Sequence, residues 1–106
     1  MKMGAKTIID RNEFLQDPLK PMDKALYSSA VDTVGGDILA KTLTMVSNHG
    51  VVSCCGNVAG ASFTSSVFPF ILRGIQLCGI DSAESSIELK KELWDLLSDS
   101  WSLDLT

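Results

Sequence analysis

The sequence predicts an α/β protein with a mostly parallel sheet of about four strands. Three observations carry this. Short runs rich in β-branched or apolar residues, at 4–10, 29–34, 51–55 and 75–80, are separated by segments that read as helices. The run Val51-Val52-Ser53-Cys54-Cys55 has no polar alternation, which marks a strand covered on both faces of a parallel sheet. Small-residue or polar turns follow three strands, at 32–36, 56–60 and 81–82, where sheets of this kind receive ligands. Strand–helix alternation also implies right-handed crossovers.

The composition limits what such a chain does. Its 106 residues are 45% hydrophobic and 21% charged, enough for one packed core and too few for two ordinary domains. A single domain over residues 1–106 is expected. The formal net charge of -4 argues against nucleic acid as the main partner, because phosphate binding needs a basic surface. No apolar run is long enough to span a membrane, and Met-Lys-Met-Gly does not lead into a signal-peptide core. Three cysteines, two of them adjacent, form neither a disulfide framework nor a zinc spacing. A cytoplasmic protein without a metal is the expectation.

The elements follow in order. Thr7, Ile8 and Ile9 make 4–10 a short strand. Asn12 is read as the cap of a short helical turn containing Phe14 and Leu15, with Glu13 in its first turn. Pro18 and Pro21 stop it, and 22–27 is read as a helical restart. The strand at 29–34 runs through Gly35-Gly36 into a helix whose Ile38, Leu39, Thr42, Leu43 and Val46 share one face. Asp37 is its N-cap or first-turn acid, and Asn48-His49-Gly50 is its expected end. After the loop 56–61, Pro69 suits the first turn of a short helix at 67–73, closed by Gly74. The strand 75–80 alternates in part, as an edge strand does. Residues 87–97 form the clearest helix, capped by Ser85 or Ser86, with Ile87, Leu89, Leu93, Trp94, Leu96 and Leu97 as its apolar face. Trp101, Leu103 and Leu105 alternate in the tail.

No catalytic set emerges from residue types. Asp32 and Thr33 end a strand at the edge where such sheets receive ligands, but Asp32 reads better as a residue that fixes the Gly35-Gly36 turn. His49, the lone histidine, reads as a helix-dipole residue. Cys54 and Cys55 read as core residues of a buried strand. No serine motif accompanies His49, and Asp95, Asp99 and Asp104 read as a solvated face. There is no metal constellation.

The run Ala30-Val31-Asp32-Thr33-Val34-Gly35-Gly36-Asp37-Ile38-Leu39-Ala40-Lys41 resembles the fourth strand and following helix of the medium-chain dehydrogenase/reductase superfamily. The stretch Pro69-Phe70-Ile71-Leu72-Arg73-Gly74-Ile75-Gln76-Leu77-Cys78-Gly79-Ile80-Asp81-Ser82 is similar to its acrylyl-CoA reductase branch, which also carries quinone-oxidoreductase names. Gly56 with the small residues after it, and Leu93-Trp94-Asp95-Leu96-Leu97, fit the same branch. The resemblance spans about residues 3 to 105 and implies a partial Rossmann-like, doubly wound domain. It implies family strands three to six, without the first two strands and without the glycine-rich turn that grips phosphates. The chain therefore reads as a fragment. Its orphan strand, Thr7-Ile8-Ile9, is expected to relocate beside Val31 or to pair with another chain.

The resemblance further implies a parent enzyme that transfers hydride from NADPH to an activated alkene such as acrylyl-CoA, a small-molecule substrate, without zinc. A zinc-independent NADPH:quinone reductase and a non-catalytic dimerising α/β module are the alternatives. The chain alone is expected to be inactive. By resemblance Arg11 reaches the adenosine end of NADPH, and Asn57 stands where the branch commonly has a leucine touching the nicotinamide half. Ile71 lines the cofactor, and Ser82 lies near the nicotinamide carboxamide. The last strand, 75–80, resembles the one that continues the sheet across a dimer, so a homo-oligomer formed through the sheet edge is expected.

Overall fold

A computed structural model describes residues 4–102. These include α1 (Arg11–Phe14), β1 (Tyr27–Asp32), α2 (Gly36–Thr44), β2 (Val46–Cys54), α3 (Phe68–Arg73), β3 (Gln76–Gly79) and α4 (Ile87–Ser98). The three strands form one parallel sheet in the order β1-β2-β3. The described chain divides into two compact units, Asp10–Ile80 and a second comprising 4–9 together with 81–102.

The sheet thus has three strands among the described residues, one fewer than the sequence suggests. Residues 4–10 are exposed and form no strand, and Ile8 is 71% exposed. Among the described residues β1 pairs with β2 alone, so the expected ladder between Thr7–Ile9 and Val31 is not formed. A lone strand gains no ladder bonds, and here the chain turns directly into α1, whose N-cap is Asp10 rather than Asn12. The Asp10 carboxylate accepts the Asn12 N–H at 2.9 Å. Residues 22–26 do not restart a helix. Leu26 and Tyr27 instead donate their N–H groups to the Met45 carbonyl and lead into β1.

α2 ends at Thr44, earlier than the apolar spacing implies. The physical reason lies in its last turn. Thr42 Oγ1 donates to the Ile38 carbonyl at 2.7 Å, and Thr44 Oγ1 to that of Lys41 at 2.6 Å. Such back-bonds compete with helix propagation, and Met45 closes the turn by donating to Thr42 O. Val46 is therefore the first residue of β2. Asn48, His49 and Gly50 lie inside that strand rather than at a helix end. Pairing runs Tyr27↔Val46 and then Ser29↔Val51, so 47–50 bulge out of the ladder. His49 sits there with φ 63, exposed; it does not end α2, and its imidazole lies against Gly74, the C-cap of α3.

The register sets Ala30, Val52 and Leu77 in one row on the face that meets the helices. Leu39 and Leu43 from α2, Val46 and Val52 from β2, and Ile75 form the buried cluster, with Ala30, Cys54, Phe70 and Leu77 packed against it. Each fully buried aliphatic side chain contributes about 1.5–3 kcal/mol. The opposite face is not covered in the same way. Val31 is 76% exposed and Val51 is exposed, so the apolar strand expected to be buried on both sides is covered on one, where Val52 is fully buried. Cys54 is half-buried and Cys55 exposed, so only the former packs against the core.

α3 starts with Pro69 in its first turn and ends at Gly74 in the left-handed conformation, φ 62, as the sequence indicates. In the second unit, Ser86 caps α4 by accepting the Leu89 N–H at 3.1 Å. No residue of α4 is fully buried. Its apolar stripe exists as a pattern, yet Trp94 is 70% exposed. Asp95 and Asp99 are exposed as expected, whereas Leu103, Asp104 and Leu105 lie outside the described residues.

Candidate functional site

The ligand-receiving edge of a parallel sheet is its carboxyl end. Here that end is built by Asp32, the turn at 33–36 and the loop after β2. Asp32 is 5% exposed, and its Oδ2 accepts the Gly35 N–H at 2.9 Å. Its backbone carbonyl accepts the Cys55 N–H at 3.0 Å, extending the ladder one residue past β2. The Cys54 thiol lies 3.8 Å from Asp32 Oδ2, and the Cys55 thiol 3.6 Å from the Asp32 carbonyl. Asp32 thus holds the turn, as its position suggests, and its carboxylate faces inward.

The glycines at this edge have a specific use. Gly35 has φ 68, and a Cβ there would overlap the Gly60 carbonyl, with which it forms a parallel bridge. A Cβ at Gly56 would overlap the Thr33 carbonyl, and one at Gly36 would sit 3.3 Å from the Ala59 carbonyl. Ala59 N–H donates to the Val34 carbonyl at 2.8 Å. The two turns are therefore docked backbone to backbone. Close approach at these glycines serves the protein's own chain.

Of the four residues implied by resemblance, Arg11 opens α1, Asn57 lies in the loop after β2, Ile71 is on α3 and Ser82 is in the turn after β3. All four are exposed, Ile71 at 68%. Thr33 is exposed beside Asp32. The structure brings Asn57 to the docked turns, next to Gly56 and Gly35. Grooves among the described residues lie elsewhere. One, of about 250 Å³, runs between Leu19, Pro21, Ala40, Thr44, Ser66 and Phe68. Another borders it at Leu19 and reaches Asp37 and Lys41. None of Arg11, Asn57, Ile71 or Ser82 lines either groove.

Two positively charged residues have roles that residue types alone did not indicate. Arg73 Nη1 donates to the carbonyls of Thr44, at 2.6 Å, and Val46, at 3.2 Å, while its Nη2 donates to that of Asp23. It joins the end of α3 to the α2–β2 turn and to the segment before β1. Lys41 is buried, donates to the Phe14 carbonyl and sits 5.2 Å from the centroid of the Phe14 ring. The signal for Lys41 was a lysine among apolar neighbours on α2. Among the described residues no cluster of three His, Cys, Asp or Glu side chains suits a metal ion, and no helix is long and apolar enough to cross a membrane.

Comparison with known proteins supplies the class. No family model matches the chain. Over 95 residues it is 36% identical to the "Probable acrylyl-CoA reductase AcuI" of Escherichia coli K-12, covering 90% of this chain and 29% of that protein. Over 97 residues it is 35% identical to the "Putative quinone oxidoreductase YhfP" of Bacillus subtilis, covering 92% of this chain and 29% of that one. The crystal structure of YhfP with NAD bound superposes with a TM-score of 0.87 over 95% of this chain and 31% of its own. That of Escherichia coli K-12 YhdH with bound NADPH gives 0.81 at 36% identity, covering 91% of this chain and 29% of that structure's chain. The fold is that of a partial Rossmann-like domain of the medium-chain dehydrogenase/reductase oxidoreductases. Within that superfamily the resemblance falls on the branch of AcuI and YhfP. The chain spans about three tenths of the length of these relatives, 29% to 31%.

Proposed function

We propose that this chain is part of the nucleotide-binding domain of an NADPH-dependent oxidoreductase that reduces an activated alkene such as acrylyl-CoA, and that the 106-residue chain alone is inactive. The observation that supports this most is the likeness, across nine tenths of the chain, to AcuI and to YhdH solved with NADPH. Bound NADPH would supply a hydride, which a conjugated alkene accepts at its β-carbon while a proton reaches the α-carbon.

The residues present fit part of that cofactor. Arg11, Asn57 and Ser82 offer exposed polar side chains, and Ile71 an exposed apolar one. In this reading Arg11 reaches the adenosine end, the backbone of Asn57 touches the nicotinamide half, Ile71 lines the cofactor and Ser82 lies near the carboxamide. At Gly35, Gly36 and Gly56 the close approach is to the chain's own backbone. Self-association through the outer edge of β3 belongs to the same proposal, since β3 ends the sheet. Light scattering of the purified chain is expected to give a dimer mass, and a monomer mass across concentrations would reject the association.

The test is a titration with NADPH, followed by nicotinamide fluorescence, of this chain and of a form extended upstream. The extended protein is expected to bind NADPH and oxidise it when acrylyl-CoA is added. The 106-residue chain is expected to do neither. Saturable binding by the short chain would overturn its inactivity, and no NADPH binding by the extended one would overturn the reductase reading. The name of YhfP favours a second reading, a quinone acceptor. NADPH consumption with a quinone but not with acrylyl-CoA would select it.

A further inference from the structure

We draw no further inference here: the strongest candidate, the exposed apolar stripe of Trp94 and Leu97 on α4 with Trp101 just beyond it, is an unpartnered helix face, and nothing in the structure shows what covers it.

Discussion

Asp32 shows how one buried side chain sets the shape of the sheet's carboxyl edge. Its carboxylate accepts the Gly35 N–H inside a buried turn. Replacing it with alanine leaves that donor without a partner, which costs about 1–3 kcal/mol. We expect Asp32→Ala to lose that much in urea denaturation and Asp32→Asn, which keeps an acceptor oxygen, to recover most of it. The glycines give a sharper contrast. A methyl at Gly56 meets the Thr33 backbone, whereas one at Gly79 meets nothing within 4 Å. Gly56→Ala is therefore expected to destabilise by about 1–3 kcal/mol, as overpacking does. Gly79→Ala should stay within about 0.5 kcal/mol. The role of Asp32 was legible in the sequence because an aspartate three residues before a glycine closes a local turn. Those of Lys41 and Arg73 were not, because their carbonyl partners lie 27 to 50 residues away.

At the scale of elements, local chemistry and distant partners divide the outcome. The starts of α3 and α4 were readable because Pro69 and Ser86 act within their own turns. Ser86→Ala should cost α4 about 1 kcal/mol, read as a loss of helical circular dichroism on heating. The end of α2 was not readable from its apolar spacing, since Val46 continues the helical pattern while belonging to β2. The back-bonding threonines and the capture of the Thr44 and Val46 carbonyls by Arg73 decide that boundary. A charge-assisted bond contributes about 1.5–3 kcal/mol. Arg73→Ala, which gives up three such bonds, is expected to lower the denaturation midpoint more than Ser86→Ala does. Arg73→Lys should recover only part of the loss, because an ammonium lacks the planar fork that reaches both Thr44 and Asp23.

On the scale of the whole molecule, the core rests on a few residues. Leu43 is completely buried between α2 and the sheet, so Leu43→Ala should cost about 2–5 kcal/mol in the same denaturation assay. The α/β class and parallel sheet were legible because β-branched runs and helical spacing alternate along the chain. The strand count was not, because pairing needs a neighbour and Thr7–Ile9 has none within the sheet. Nor was the openness of one sheet face, since Val51 and Val52 look alike in sequence and differ only by the side to which the pleat turns them. The strand order also dictates a timetable for amide exchange in heavy water. Backbone groups of β2 are bonded on both flanks, by β1 and by β3, while β1 has one strand neighbour among the described residues. Deuterium should therefore enter β1 early, and Val52 and Ser53 should keep their protons longest.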